Sequence, residues 1–421
     1  MKTIVLFTNS YPYSQFGEYP FVEPELKILS KYFKIIIFPL GKETEKKRNL
    51  VSQLNNVFLY DNDFKFNKYK ELFFNAIKVD KFFFQELTNI KNKNHLKSLI
   101  AYHTKSKWIE KIIESKLKSG EWNREYLYYT YWFDFATTAL LNLKEKFNLK
   151  VITRVHRYDL YEEVRRNGYI PFRKTDIKKI DKVFTVSMQG FNYLKNKYKT
   201  ENIINSYLGI EDRNVENPLN TSNAIKIVSC SLMVPVKRIN LIIEYLSKYS
   251  KEFNIKIEWH HIGSGILEEN LKLLSEKLKH RLFEIHFVGY LENNEIFNYY
   301  KNNPFDYFIT LTKSEGGVPV SLMEACSVGL PIIATNVGGI GEIVENEKNG
   351  FLLSSNPSYE EFKEVFKKAI LLKSNIEEYI KFRKNSRDIF LEKFSADRNY
   401  EKFAKYLEEI LSNKDFKGSN Q

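Results

Sequence analysis

Short apolar runs alternate with longer amphipathic stretches along nearly the whole chain, the pattern of buried parallel strands joined by crossover helices. In the first half the apolar runs predict strands at Thr3–Thr8, Lys34–Phe38, Val57–Tyr60, Leu127–Tyr129, Lys150–Val155 and Lys182–Val186. The helix after the first strand is expected to begin near Glu23-Pro24, because proline suits a first helical turn. Residues 64 to 120, rich in Lys and Phe, read as a helical insertion over one face. The rhythm lapses from Gly209 to Asn223, a polar stretch with Pro218 and neither periodicity, which reads as a linker. It restarts with strands at Ile225–Cys230, Ile255–Ile262, Glu284–Val288, Tyr307–Leu311 and Pro331–Ala334. Helices are expected at Arg238–Lys248, Leu267–Leu278, Asn294–Lys301, Val320–Val328 and near Ile340–Glu345, and residues 358 to 412 are helical almost throughout.

The fold class that follows is α/β. Two doubly wound, Rossmann-like domains are expected, 1–208 and 224–395, with 209–223 as the linker and a helical tail, 396–421, packing back on the first domain. In such sheets ligands sit at the carboxyl ends of the strands, and those ends are expected to line a cleft between the domains.

Composition narrows the class. The chain has 421 residues, 43% of them hydrophobic, with 33 Phe and 27 Tyr, ample for two cores and unlike a disordered or fibrous protein. Only two cysteines occur, Cys230 and Cys326, both among apolar neighbours, so a disulfide framework is excluded and a reducing compartment is expected. No Cys/His spacing resembles a metal site. The N-terminal apolar run stops at Asn9 and Ser10, too soon for a signal peptide, and no run nears the roughly 18 to 20 apolar residues of a membrane span. A cytoplasmic protein is expected, soluble or peripheral on the inner face of the cell membrane.

The net charge of +13 asks for an anionic partner. Its basic residues are scattered, at 46–48, 91–93, 174–182 and 195–199, without the basic stripe and interleaved aromatics of a nucleic-acid binder. Phe73-Phe74 and Phe82-Phe83-Phe84, flanked by lysines, read as core under the insertion or as a patch dipping into a membrane interface.

The sharpest chemistry lies in Ser314-Glu315-Gly316-Gly317-Val318-Pro319-Val320-Ser321-Leu322-Met323-Glu324-Ala325. A buried strand precedes it and a helix follows. Glycines let the backbone approach a ligand, and free N–H groups near Val320 and Ser321 suit a phosphate at the helix start, with Pro319 in the first turn. Glu315 and Glu324 can each accept from sugar hydroxyls. Strand, glycine loop and helix also occur in every doubly wound domain, and a helical Glu is commonly just solvated.

The run SEGGVPVSLMEACSVGLPIIATNVGGIGEIVENEKNGFLL resembles the donor-binding signature of family 4 retaining glycosyltransferases, which have the GT-B fold. CSLMVPVKRINLII is similar to their phosphate-binding stretch, and HHIGSG and FVGYLENNEIFNYY to segments that hold the nucleoside. TNSYPYSQFGEYPFVEPEL and YWFDFATTALL with VITRVHRYDLYEE and NGYIPFR resemble enzymes of surface-polysaccharide assembly. The resemblance implies a UDP- or GDP-sugar as donor substrate and a glycan acceptor, carried on a lipid pyrophosphate at the inner leaflet. Glu315 would meet the donor hexose and Glu324 the ribose. Gly316, Gly317 and Val318 would bring N–H groups to sugar and diphosphate, and Lys237 and Arg238 would neutralise the leaving group. Gly263, Gly289, Tyr290 and Leu291 would lie by the nucleoside, and His156 by the reacting carbon. Tyr13, Gly17, Glu18, Tyr158 and Asp159 would face the acceptor. The implied mechanism is retaining, with the leaving phosphate helping to take the acceptor's proton.

Two departures stand out. One residue more than the family's usual spacing lies between Glu315 and Glu324, which the Gly316-Gly317 pair is expected to absorb as a bulge. Ser231 stands where many relatives carry an arginine, which puts more weight on Lys237. No cofactor or metal is expected; Asp61-Asn62-Asp63 is the nearest lookalike of a metal-binding DxD pair, in a polar loop of the first domain. The alternative function is a non-catalytic glycosyltransferase-like subunit supporting a partner enzyme.

Overall fold

The computed structural model describes residues 1–13, 18–42, 46–60, 81–165 and 167–412. Asp61-Asn62-Asp63, Phe73-Phe74 and Gly17 lie outside the described residues. The chain divides into two compact units, Met1–Tyr207 with Asn399–Gln421, and Leu208–Arg398.

The first unit holds a seven-stranded sheet of β1 (Thr3–Thr8), β2 (Lys34–Pro39), β3 (Val57–Leu59), β4 (Leu127–Thr130), β5 (Lys150–Val155), β6 (Lys182–Thr185) and β7 (Ile203–Asn205). The order is β3-β2-β1-β4-β5-β6-β7 and every pairing is parallel. β1 is buried at every position, as expected of a strand covered on both faces. On one face Phe7, Trp122, Tyr128, Ile109 and Leu140 pack together with the Lys93–Lys118 and Phe135–Phe147 helices. On the other, Leu6, Tyr129, Phe184 and Val22 meet Phe403, Ala404 and Leu407 of the Ala396–Ser412 helix.

A buried ion pair fixes that second face. Arg154 Nε lies 3.0 Å from Glu25 Oε2, with both side chains almost wholly enclosed. Tyr129 Oη donates to Glu25 at 2.8 Å, Arg154 Nη1 donates to the Ser206 carbonyl, and its guanidinium lies 4.2 Å from the Phe403 ring. A buried charge survives only when it is paired and hydrogen-bonded in this way.

The first helix runs Tyr19–Leu29, not from Glu23: Pro20 takes the first-turn place and Pro24 falls inside, forfeiting one bond near the N-terminal end. Described helices within the expected insertion are Lys81–Leu87 and Lys93–Lys118, the latter started by Asn92, whose side chain accepts from the Asn94 and His95 N–H groups.

The second unit holds a six-stranded sheet of β8 (Ile225–Cys230), β9 (Ile257–Ile262), β10 (Phe283–Gly289), β11 (Tyr307–Thr310), β12 (Ile332–Thr335) and β13 (Gly350–Leu353), in the order β10-β9-β8-β11-β12-β13 and again parallel. Trp259, Tyr307, Ile309, Phe362 and Phe366 centre its core. The stretch from Glu211 to Thr221 has no regular structure yet is anchored, since the buried Asn217 amide donates to the Tyr300 and Asn303 carbonyls. Among the described residues, no helix is long and apolar enough to cross a membrane.

Candidate functional site

In a doubly wound sheet the crevice opens where the strand order reverses, outside the carboxyl ends. In the second unit that point lies between β8 and β11. The loop after β8 ends in a short 3-10 turn, Pro235–Lys237, and the loop after β11 carries Ser314 to Pro319 into the Val320–Ser327 helix. Lys237 and Glu315 meet there: Nζ is 2.5 Å from Oε1, and both side chains keep a little exposure. The Thr312 hydroxyl and the Lys313 N–H both donate to the Val236 carbonyl, locking the two loops together.

Pro319 caps the helix, and the Leu322 and Met323 N–H groups donate to its carbonyl. Val320 and Ser321 therefore start the helix, where N–H groups lack intrahelical partners. One turn on, Glu324 is buried. Asn293 Nδ2 donates to its Oε1 at 2.7 Å, and burial pushes its carboxyl up to about 8, with no basic side chain among the described residues offsetting that. Such a group is a poor structural ion; protonated near neutral pH, it can both donate to and accept from hydroxyls.

Close backbone packing sets the loop positions. A side chain at Gly338, whose φ is +58°, would strike the Glu315 carbonyl at 2.3 Å, and one at Gly339 would strike Gly317 at 2.6 Å. Gly316 is buried, and Gly317 and Val318 follow it along the same loop. Gly263, at φ +136°, lets the β9 loop touch Ser231, whose carbonyl would lie 2.0 Å from an added Cβ. Its N–H donates to the Gly289 carbonyl, and Tyr290 and Leu291 follow with Tyr290 exposed.

Arg238 departs from its expected place at the diphosphate. Its Nε donates to the Leu311 carbonyl, its Nη2 to those of Thr312 and Ser355, and its Nη1 to Asn356. With four donors committed to the ends of β11 and β13, Arg238 is a positioning residue for the loop.

In the first unit the order reverses between β1 and β4. His156 stands just after β5. Its ring stacks 5.1 Å from Tyr131 and lies 4.7 Å from Trp132. A backbone hydrogen bond to Tyr131 uses one nitrogen, and the buried Nε2 has no partner among the described residues. Burial, and then the Arg154 charge, push the imidazole down to about 3. The ring is neutral, and its Nε2 can accept from a hydroxyl.

Three acceptor-side expectations are corrected. Glu18 is buried, and its carboxylate accepts from the successive N–H groups of Asn9, Ser10 and Tyr11 and from Trp132 Nε1. Asp159 accepts from the His156 and Phe133 N–H groups, and burial pushes it up to about 6. Tyr13 is enclosed, with the Lys42 ammonium 4.6 Å from its ring. All three build the loops; a carboxylate satisfied by two to four N–H groups has little left for a ligand. Tyr158 is exposed, with the Arg165 guanidinium 3.6 Å from its ring.

Tyr158 lines an open cavity of about 520 Å³ together with Trp132, Phe135, Lys105, Arg165 and Asp134. Asp134, raised to about 7 by burial, and Trp132 were not singled out from the sequence, although both fall in the YWFDF stretch. Tyr169 is shared with a neighbouring cavity of about 320 Å³ lined by Lys91, Arg173, Lys174, Lys178 and Lys197, against Glu86 and Glu162. Asn293 carries no signal in the sequence beyond its place in the FVGYLENNEIFNYY stretch.

Residues 211–389 match the family described as glycosyl transferases group 1, so the second unit carries a transferase domain. An uncharacterised glycosyltransferase of Haemophilus influenzae is 28% identical over 260 residues, 60% of this chain and 67% of its own length. The amylovoran biosynthesis glycosyltransferase AmsK of Erwinia amylovora is 30% identical over 137 residues, 30% of this chain and 32% of its own. The crystal structure of Anabaena Alr3699/HepE in complex with UDP and glucose superposes with a TM-score of 0.62 at 15% identity, covering 97% of this chain and 99% of that one. The likeness is one of fold: two parallel Rossmann-like sheets, as in GT-B structures.

Proposed function

We propose, with the glycosyltransferase group 1 domain at residues 211–389 as the premise, that this enzyme moves a hexose from a nucleoside diphosphate sugar to a glycan hydroxyl with retention of configuration. The observation that carries the reading is the meeting of Lys237 with Glu315 at the switch point of the second sheet, beside the start of the Val320–Ser327 helix. A cation and a helix N-terminus at one place suit a diphosphate. Glu315 then accepts from hexose hydroxyls as Lys237 turns to the phosphates, and Glu324 accepts from the ribose.

The bond from the sugar's anomeric carbon to the phosphate oxygen breaks as the bond to the acceptor oxygen forms on the same face. The acceptor's proton passes to the departing phosphate, so no enzymic base is required. The charge developing on that phosphate is the main electrostatic demand, and Lys237 with the helix start meets it without a metal. His156, neutral and with Nε2 open, is left as an acceptor for a substrate hydroxyl.

On the acceptor side, the aromatic cavity around Trp132, Phe135 and Tyr158 suits a pyranose ring. The adjoining lysine-lined cavity suits a phosphate, which favours a glycan carried on a lipid pyrophosphate at a membrane surface. The relative AmsK is named for amylovoran biosynthesis and the Anabaena structure for UDP and glucose, in keeping with this reading. A thermal-shift panel of UDP- and GDP-sugars, with and without divalent metal, tests it. Stabilisation by one nucleotide class is expected in wild type and not in Glu324→Ala. Silence across the panel would remove the donor site, and strict metal dependence would remove the metal-free mechanism.

A further inference from the structure

Away from the donor loops, β9 and β10 pair in parallel with Glu258 opposite Glu284 and His260 opposite His286. Residues two apart on a strand share a face, so all four side chains stand on one face of the second sheet, beside its edge strand. Glu258, His260 and His286 bring one oxygen and two imidazole nitrogens within 4.8 Å of one another. Glu258 Oε1 lies 2.7 Å from His260 Nε2 and 4.0 Å from His286 Nε2, and the two rings are 4.4 Å apart.

We propose that Glu258, His260 and His286 form a structural site for a divalent transition-metal ion, with zinc the fitting one. Two imidazoles and a carboxylate are the donor set such ions prefer, whereas magnesium asks for oxygens in an octahedron. Zinc holds nitrogen and oxygen donors at about 2.0–2.2 Å, which in a tetrahedron sets them roughly 3.3 Å apart. Binding then requires the half-exposed His286 to turn inward and the Glu258–His260 pair, now at hydrogen-bond distance, to open as the ion replaces the proton between them.

The surroundings are arranged as a ligand shell. Tyr299 Oη is 2.6 Å from His260 Nδ1 and fixes the ring so that Nε2 faces the cluster, the outer hydrogen bond that orients a metal-bound histidine. Lys226 Nζ, 2.9 Å from Glu258 Oε2, occupies the second oxygen and leaves Oε1 for the ion. Glu284, whose Oε2 is 4.0 Å from His286 Nε2, or a water takes the fourth position. The bound ion ties edge strand β10 to β9 and, through Tyr299, to the Asn293–Asn302 helix, whose first residue donates to Glu324.

The test is a titration of the full chain, stripped with a chelator, with zinc followed by calorimetry and by melting temperature. One equivalent is expected to bind and raise the melting temperature, with no effect of magnesium. His286→Ala, at an exposed position, is expected to weaken that equivalent at least tenfold and to abolish the shift. Tyr299→Phe, which keeps all three ligands, is expected to weaken it by about 10- to 100-fold. No zinc binding at micromolar concentration, equal stabilisation by magnesium, or unchanged affinity in His286→Ala would each overturn the site.

Discussion

Glu324→Gln should stabilise the second unit near neutral pH while impairing the site. In the unfolded chain Glu324 gives up its proton near its ordinary value of 4.5; in the folded chain, burial holds the proton up to about 8. Below pH 4.5 both states are protonated and the group contributes nothing. Between 4.5 and 8 only the unfolded chain ionises, so each further pH unit weakens folding by about 1.4 kcal/mol; above 8 the loss is complete. At pH 7 the interval is about 2.5 units, which makes a loss of order 3 kcal/mol. Glutamine has no proton to lose, and its carbonyl oxygen can still accept from Asn293. For a unit of this size a change of about 3 kcal/mol moves the melting temperature by roughly 6–12 °C. Calorimetric melting of both proteins from pH 5 to 8, without nucleotide, measures it: the curves should separate steadily as pH rises, the variant melting higher. Parallel curves, or a variant melting lower at pH 8, would refute the assignment of Glu324 as a buried carboxyl held by Asn293 without a cation beside it.

Lys237→Ala should fold normally and lower kcat with a nucleotide sugar by ~10²–10³-fold, the usual cost of removing one group that stabilises developing charge; a loss confined to KM would contradict the leaving-group role. His156→Ala should lower kcat by roughly tenfold, the worth of one hydrogen bond. Because burial holds that imidazole at about 3, the wild-type pH–rate profile should carry no inflection between pH 5 and 8 that vanishes in the variant. Arg154→Met should destabilise the first unit by about 3–5 kcal/mol in urea unfolding, since it strands the Glu25 carboxylate. The double variant Arg154→Met/Glu25→Leu should recover part of that loss, and equal stability of single and double variants would show that the charge was not the cause.

The strands and helices that pack the two sheets were legible because their apolar runs are long enough to carry a period. β7 and β13 carry a weaker strand signal, one ending on Asn205 and the other opening on Gly350, whereas β3, equally short and also at an edge, opens on Val57-Phe58. The helix start at Tyr19 was misread because two prolines compete for one first turn, and residue type does not say which wins. At the site, Lys237, Glu315 and Glu324 are named through the resemblance of their stretches to a known signature, and the structure sets Lys237 beside Glu315 and buries Glu324. Glu18 and Asp159 could not be assigned correctly: a carboxylate before a helix looks the same whether it faces a ligand or a set of N–H groups. Trp132 donates to Glu18 from a residue more than a hundred positions away. The Glu258, His260 and His286 cluster was invisible for a related reason, since no local Cys/His spacing marks it and only the β9–β10 register brings it together.

The Arg154 tie also has a consequence for the order in which the protein is made. Its partners come from the Tyr19–Leu29 helix, from β4, from Ser206 and from Phe403. The second unit is one continuous stretch, Leu208–Arg398, whereas the first needs residues from both sides of it. On the ribosome, therefore, the unit begun first is the one finished last. Arg154 lacks its Phe403 contact until the Ala396–Ser412 helix emerges, while the second unit can already have closed its own core.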